Sequence, residues 1–389
     1  MTRDLKILSA SMLIFGIGEG MFLIFQPLYI QQLGADPIII GVILGINGLV
    51  MALAQIPTGY LADRFGRRLL MWFSWIAGLI AVWMMALASS LNAFVLGLML
   101  YGVTSSVMAP LNTYVQGARG DWSVGRAVSF VHALYNAGMI FGPFLGGIVA
   151  ERFDLRSVYY AAGILIAIST LIVFFLRRQP VETLPVMDGD THLFRNKRFM
   201  SMLGVSALAM FAVTLPQPLT ANFLQNQREI HLGKIGQLGS LGALGSVLMM
   251  LIFGHLPAGL AMLIGQVGLM LFSGLIWGGN NLLWYGLGYI FLGGYRLCRA
   301  MTVTLAQPLV REGEMGLAFG VVESVTMLAN MVAPILAGFL YDWRPVSIYP
   351  VSLVVLTLSF LLSLRFYHSH QHRKQTQQLL AEKEVCNDT

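Results

Sequence analysis

Charged side chains are scarce in this sequence. Asp, Glu, Lys and Arg together make up 11% of its 389 residues, whereas a soluble protein carries about 25%. This scarcity excludes a soluble enzyme and a disordered chain. The net charge of +6 does not indicate nucleic-acid binding, because the basic residues lie between long apolar stretches and form no solvated basic face. We therefore expect no nucleic-acid partner.

Cysteine is scarce as well, and two common chemical motifs are absent. Cys298 and Cys386 are the two cysteines, and they cannot build a disulfide framework. The sequence has neither a phosphate-cradling Gly-Lys-Ser/Thr loop nor a His-Glu-x-x-His helix. We expect no cofactor, no bound metal and no enzymatic activity, and any transport would be driven by a gradient rather than by ATP.

Long apolar stretches dominate the chain. Residues 69–118 and 235–295 contain no Asp, Glu, Lys or Arg, and each stretch exceeds one membrane span of about 20 residues. Dividing the apolar stretches at their polar breaks predicts an all-α membrane protein with twelve transmembrane helices. The predicted spans are residues 7–33, 37–62, 69–89, 92–117, 127–150, 157–176, 199–225, 234–254, 257–278, 281–309, 315–341 and 345–366.

The distribution of lysine and arginine predicts the orientation of these spans. With a cytoplasmic N-terminus, 17 of the basic residues lie on the cytoplasmic side and 5 on the other. Basic residues concentrate in cytoplasmic loops, so we expect a multi-pass protein of the cytoplasmic membrane with both termini cytoplasmic. We expect a monomer surrounded by the lipid bilayer.

The chain contains an internal repeat. A shift of 191 residues places Gln26-Pro27-Leu28 on Gln217-Pro218-Leu219 and Pro143 on Pro334. Matches in the same order indicate two pseudo-symmetric six-helix halves, and such halves hold a substrate site near the midplane at their interface. The predicted division is a first half at 1–176, a cytoplasmic linker at 177–198, a second half at 199–367 and a cytoplasmic tail at 368–389.

The loop between the second and third spans carries the most specific motif. It reads Gly-Tyr-Leu-Ala-Asp-Arg-Phe-Gly-Arg-Arg over residues 59–68. Its glycines permit a tight turn, Asp63 can accept hydrogen bonds from helix-terminal N–H groups, and the arginines suit an anionic inner leaflet. An ordinary basic membrane anchor explains the arginines but not the frame of glycine and aspartate.

This loop resembles that of the major facilitator superfamily, which carries a Gly-x-Leu-Ala-Asp-Arg-x-Gly-Arg-Arg pattern here. Twelve helices in two halves with a central cytoplasmic loop also resemble that family's layout, so the resemblance implies its fold over essentially the whole chain. In the family, this loop latches the cytoplasmic ends of the two halves together in the outward-open state. The resemblance implies a gating role for Gly59, Asp63, Arg64, Gly66 and Arg67.

The fifth span carries a second resemblance to the same family. Its pattern is similar to the Gly-x-x-x-Gly-Pro-x-x-Gly-Gly motif that is associated with antiporters that export. The matching residues are Gly138, Gly142, Pro143, Gly146 and Gly147. The alternative is a seam of small residues that lets helices pack closely, with no bearing on the direction of transport.

Five ionisable side chains lie within the predicted spans, where such groups are candidate functional sites. They are Glu19, His132, Arg296, Arg299 and Glu323. His132 and Glu323 are 191 residues apart, so the repeat places them at equivalent positions. We predict that Glu19, His132 and Glu323 take part in proton coupling. For Glu323 the alternative is a structural ion pair with an arginine of the tenth span.

Polar and aromatic side chains follow the ionisable ones at helical spacing. The two arginines can hold an anionic group through charge-assisted hydrogen bonds, and the aromatic rings suit an amphipathic molecule. The predicted substrate-binding residues are Gln26, Tyr29, Tyr101, Tyr135, Asn136, Gln217, Arg296, Arg299 and Asn330.

The sequence thus predicts a secondary transporter that moves a small organic molecule by alternating access, with proton-coupled export as the first interpretation. The partners are then a small-molecule substrate and protons. One alternative is proton-coupled uptake of an anionic metabolite through Arg296 and Arg299. Another, from a different class, is a membrane enzyme or sensor that keeps the fold without transport.

Overall fold

A computed structural model describes residues 1–65, 67–177, 193–310 and 315–387, with side chains given except at 56–65, 67, 109, 194, 316 and 369–387. The regular structure of these residues is helical. The helices are α1 Arg3–Leu23, α2 Gln26–Gln32, α3 Pro37–Phe65, α4 Arg67–Leu87, α5 Leu91–Thr104, α6 Met108–Ala118, α7 Val124–Arg152, α8 Leu155–Val173, α9 Lys197–Thr214, α10 Thr220–Arg228, α11 Leu232–Phe253, α12 Ala258–Gly278, α13 Leu282–Phe291, α14 Gly294–Ala306, α15 Met315–Trp343 and α16 Ile348–Asn387. Short 3₁₀ turns lie at Ser105–Val107, Leu193–Arg195, Gln307–Leu309 and Pro345–Ser347.

The helices correspond to the twelve predicted spans, and the all-α membrane fold is confirmed. Among the described residues, ten helices are long and apolar enough to cross a membrane. Helices α5 and α6 together form an eleventh span, bent by 40°. The tenth predicted span consists of α13 and α14, which have 10 and 13 residues and are each too short to cross alone.

The structure adds a detail to the twelve predicted spans: the first, fourth, seventh and tenth are each built from two helices. Proline explains three of the breaks, because it has no N–H to donate to the carbonyl four residues earlier. Pro27, Pro110 and Pro218 stand at or just beyond the breaks in the first, fourth and seventh spans, and Gly293 and Gly294 stand at the break in the tenth. The four broken spans occupy equivalent places in the two halves.

The outer surface of the bundle is apolar. On α4 the exposed side chains Phe73, Ile76, Ile80 and Met84 follow one another at helical spacing and form one continuous stripe. Apolar patches of this extent are rare on soluble proteins. The exposed face therefore suits contact with lipid, as in a multi-pass membrane protein.

Backbone-to-backbone packing joins the two halves toward one end of the bundle. Helix α3 packs along α15, and α7 packs along α11. Gly41 and Gly45 face the carbonyls of α15, and Gly236 faces α7 where Gly147 lies opposite. We call these two contacts the glycine seam. The seam lies where α2 ends and α3 begins, which is the end predicted to face away from the cytoplasm.

The contacts of the glycine seam follow the 191-residue repeat. The carbonyl of Pro334 faces Gly41, and the carbonyl of Pro143 faces Gly236, and these two prolines are 191 residues apart. The same pair of contacts is therefore made twice, once on each side of a pseudo-two-fold axis. Small residues allow this close approach because no Cβ separates the backbones.

The predicted linker and tail are described only in part. Residues 178–192 of the linker lie outside the described residues, so the proposed limits of the two halves stay predictions. In the predicted tail at 368–389, the backbone of α16 remains helical to Asn387.

Candidate functional site

The predicted gating residues fall in the part of the chain that the structure describes least. Gly66 lies outside the described residues, as do the side chains of Asp63, Arg64 and Arg67 and the surroundings of Gly59. Their gating role stays a prediction.

The predicted helix-5 motif has two packing faces. Gly138, Gly142 and Gly146 lie against the carbonyls of α1 within the first half. Pro143 and Gly147 lie against α11 of the second half and form part of the glycine seam. The motif therefore joins helices both within a half and between halves.

Glu19 lies on α1 between two tightly packed glycines. A Cβ on Gly18 would meet Ile166 at 3.1 Å, and one on Gly20 would meet Pro143 at 3.1 Å, so the backbone that carries Glu19 is fixed by its neighbours. The hydroxyl of Tyr135 donates a hydrogen bond to Glu19 Oε2 at 2.7 Å. Among the described residues, no cation lies within ion-pair distance of this carboxylate.

A second tyrosine lies beside the same carboxylate. Tyr101 is 8% exposed and packs edge-on against Phe22, with ring centroids 5.3 Å apart. Its hydroxyl lies beside the Glu19 carboxylate and interacts with it, although no described group meets the full hydrogen-bond geometry with this hydroxyl. Buried hydroxyls are almost always hydrogen-bonded, so this group has capacity for a further partner.

The repeat-related pair His132 and Glu323 have different partners. His132 Nε2 lies 2.8 Å from Asn112 Oδ1 on α6, whereas Arg299 Nη2 of α14 lies 3.2 Å from Glu323 Oε2. The two side chains of this ion pair are each 40% exposed. The structural alternative for Glu323, an ion pair with the tenth span, is therefore present with Arg299 as the partner.

Arg296 bridges the two halves. Its Nη1 donates a hydrogen bond to Asn136 Oδ1 at 2.9 Å, from α14 to α7.

Asn330 connects three helices of the second half. Tyr295 and Thr214 both donate to Asn330 Oδ1, at 3.2 and 3.3 Å. Asn330 therefore organises α9, α14 and α15 within the second half.

Six of the twelve predicted proton-coupling and substrate-binding residues meet in contacting pairs within the spans. We call the following six residues the polar centre. They are Glu19, Tyr135, Asn136, Arg296, Arg299 and Glu323.

Three of the predicted substrate-binding residues lie outside the polar centre. Tyr29 is 3% exposed and packs against Tyr159 with ring centroids 5.0 Å apart. Gln26 is buried, and Gln217 donates to the carbonyl of Val213 at 2.5 Å. Their part in binding a substrate stays a prediction.

Sequence reasoning missed a polar contact at the seam end of the bundle. Asn222 Nδ2 of α10 donates to Gln31 Oε1 of α2 at 2.6 Å, and Asn226 donates to the same oxygen at 3.1 Å. Gln31 and Asn222 are 191 residues apart. Two repeat-related residues can meet only on the axis that relates the halves, so the 191-residue shift was the signal that could have found this contact. We call the Gln31–Asn222 contact the axial bond.

The fold and the polar centre define a class of protein: a helical membrane protein of two repeated halves that enclose opposite charges at mid-span. A family model described as "Major Facilitator Superfamily" matches residues 8–294. The chain belongs to the major facilitator superfamily.

Individual proteins resemble the chain at lower levels. It is 30% identical over 193 residues to the multidrug resistance protein MdtG of Serratia proteamaculans, with 46% of each chain covered. It is 23% identical over 211 residues to the uncharacterized MFS-type transporter MJ1560 of Methanocaldococcus jannaschii, with 54% of this chain and 52% of that protein covered. The match spans about half the length of these relatives.

A solved structure shows the same fold over nearly the whole chain. The crystal structure of a mutant of the nucleoside transporter NupG superposes with a TM-score of 0.80 and 17% sequence identity. The superposition covers 94% of this chain and 98% of that chain. This likeness concerns the fold alone.

Proposed function

We propose that the chain is a secondary transporter that exports a small organic molecule in exchange for protons. The observation that carries the proposal is the state of Glu19. This mid-span carboxylate accepts a hydrogen bond from Tyr135 and has no cation within ion-pair distance among the described residues. A carboxylate in that position can hold either a proton or a positively charged group, and competition between them produces exchange.

Two likenesses support export. The helix-5 pattern resembles that of exporting antiporters, and the relatives named MdtG are multidrug resistance proteins. Both concern similar sequences, and the direction of transport by this chain is our proposal.

Alternating access would follow from the packing of the halves. The glycine seam closes one end of the bundle through contacts between backbones, which separate without leaving buried charges unpaired. We propose that the seam faces the outside, with both termini cytoplasmic, and that export requires the seam to open while the opposite end of the bundle closes.

Proton release on ligand binding tests the exchange. A ligand found by thermal-shift screening, in which binders stabilise by mass action, is added to detergent-solubilised protein in weak buffer with a pH indicator. We expect the wild-type protein to release protons, and Glu19→Gln to bind without releasing them. Glu323→Gln, which removes the other predicted carboxylate, shows whether that group contributes.

The control is Glu229→Gln, which replaces an exposed carboxylate in the turn after α10 and is expected to behave as the wild type. Equal proton release and equal coupled flux in proteoliposomes by the wild type, Glu19→Gln and Glu323→Gln would contradict proton coupling.

Uptake of an anionic metabolite is the second candidate, and one observation favours it. Arg296 has a neutral amide as its partner, so its charge is available to an anion. Proteoliposomes with an inside-acidic or an inside-alkaline gradient separate the two directions. Recovery of the chemically unchanged substrate from the vesicles would separate transport from an enzyme on the same fold.

A further inference from the structure

The charges of the polar centre divide into a closed pair and an open pair. Arg299 and Glu323 neutralise each other at 3.2 Å. Glu19 and Arg296 have neutral partners instead, the Tyr135 hydroxyl at 2.7 Å and the Asn136 amide at 2.9 Å. Among the described residues, neither forms an ion pair within 4.0 Å.

The open pair is held at one place by one helix. Tyr135 and Asn136 are consecutive on α7, so the groups that position Glu19 and Arg296 are adjacent in the chain. Glu19 belongs to the first half and Arg296 to the second. The two opposite charges therefore come from different halves, near enough for Arg296 to influence Glu19 electrostatically but outside ion-pair distance.

An isolated charge at this depth costs several kcal/mol, and an ion pair is the usual remedy. Here two charges of opposite sign stay unpaired although they lie near each other. A ligand that carries one positive and one negative group would neutralise Glu19 and Arg296 at once. A ligand with a single positive charge would leave Arg296 uncompensated, and one with a single negative charge would leave Glu19 uncompensated.

The buried hydroxyl of Tyr101 supports a ligand at Glu19. The side chain is 8% exposed, and its hydroxyl lies beside Glu19 without a described partner at full hydrogen-bond geometry. An ammonium group bound at Glu19 can donate a hydrogen bond to this oxygen.

We propose that the transported substrate is a zwitterion, whose cationic group binds Glu19 and whose anionic group binds Arg296. This proposal rests on the proposed transport function and adds the chemical class of the substrate. The planar guanidinium of Arg296 suits a carboxylate or a phosphonate, which it can hold through two parallel hydrogen bonds. In the exchange, a proton takes the place of the cationic group on Glu19.

Three matched probes test the charge requirement. Tryptophan is a zwitterion, tryptophanamide carries the positive charge alone, and N-acetyltryptophan carries the negative charge alone. Isothermal titration calorimetry with the purified full-length protein measures the affinities of the three probes at one pH. We expect tryptophan to bind at least about tenfold more tightly than either singly charged probe, which is about 1.4 kcal/mol.

Two variants then assign the charges. Glu19→Gln is expected to weaken the binding of tryptophan about tenfold and to leave the affinity for N-acetyltryptophan unchanged. Arg296→Gln is expected to weaken the binding of tryptophan and to leave the affinity for tryptophanamide unchanged. Retention of the affinity of one probe in each variant shows that the variant is folded. Glu229→Gln, at an exposed position outside the spans, is expected to reproduce the wild-type order.

The results separate this proposal from proton coupling. Equal affinity for all three probes, binding of none at millimolar concentration, or preference for a singly charged probe would overturn the zwitterion assignment. Proton release on binding of a singly charged ligand would support proton exchange and contradict the zwitterion assignment. Tight binding of tryptophan without proton release would support the zwitterion assignment and contradict proton exchange.

Discussion

The glycine seam and the polar centre both join the two halves, but they do so with different forces. At the seam, backbones of α7 and α11 meet so closely that a Cβ on Gly236 would lie 2.8 Å from the Cα of Gly147. At the polar centre, a hydrogen bond of 2.9 Å between Arg296 and Asn136 crosses the interface. Contacts at the seam are short-ranged and depend on shape, whereas those at the centre depend on charge and are open to water or ligand.

This difference assigns separate tasks to the two regions. A close-packed seam loses its attraction over a fraction of an ångström, so it is either closed or open and can act as a gate. A half-exposed group of charges can exchange partners gradually, because water or a ligand replaces each lost contact. The seam is thus suited to set which end is closed, and the centre to sense what is bound.

The largest effect is expected from bulk in the seam. Gly236→Leu would place a side chain against the Pro143 carbonyl and Gly147, and overpacking of this kind costs about 1–3 kcal/mol. We expect the seam to stay open, with a longer distance between spin labels at Arg152 and Lys234 in double electron–electron resonance. Gly274→Leu is the control, because no atom lies within 4 Å of the added Cβ. An unchanged distance between these labels in Gly236→Leu would show that the seam does not act as a gate.

The next largest effect is expected at the closed ion pair of the polar centre. Arg299→Gln or Glu323→Gln alone leaves one charge uncompensated and should destabilise by about 1–2 kcal/mol, less than a fully buried pair because both side chains are 40% exposed. The double variant should recover part of this loss. Thermal melting of the three variants measures it, and strictly additive losses would show that the pair is not coupled.

A smaller effect is expected at the axial bond. Asn222→Leu removes the donor to Gln31 at 2.6 Å and should cost about 1 kcal/mol, which is about a fivefold shift toward the state with an open seam. The spin-label distances described above report the two populations. Gln227→Leu, at an exposed position on the same helix, should leave them unchanged. An equal shift in both variants would show that apolar bulk, not the hydrogen bond, is responsible.

The smallest effect is expected from Asn136→Ala. It removes the hydrogen bond of Arg296 across the interface, but water can replace the amide, so the seam should remain closed with the wild-type distance distribution. A seam that opens in this variant would abolish the distinction between gate and sensor, because the polar centre would then hold the halves together.

The sequence predicted the fold from hydropathy because membrane insertion depends on the same quantity. It did not predict the breaks in four spans, although Pro27, Pro110 and Pro218 were visible. Hydropathy counts side chains, whereas three of the four breaks arise from missing backbone donors. A proline within an apolar run does not by itself end a helix: Pro143 and Pro334 lie inside continuous helices.

The candidate site was predictable in its members but not in its partners. Depth in the bilayer identified Glu19, Arg296 and Glu323, because a charge at mid-span is costly and needs a reason. Which arginine pairs with Glu323 depends on how α14 rotates against α15, and no pattern in the sequence fixes that rotation. The repeat gave His132 and Glu323 equivalent positions, yet their partners differ because Asn112 and Arg299 are not repeat-related.

Alternating access requires the two halves to move against each other. Spin labels at Arg152 and Lys234 report the seam end, and labels at Arg126 and His255 report the opposite end of the same helix pair, in a protein with Cys298 and Cys386 replaced. On titrating pH or adding a bound ligand, we predict that the seam distance lengthens as the other shortens, in one coupled transition. Coupled transport in proteoliposomes with both distances unchanged under all of these conditions would contradict it.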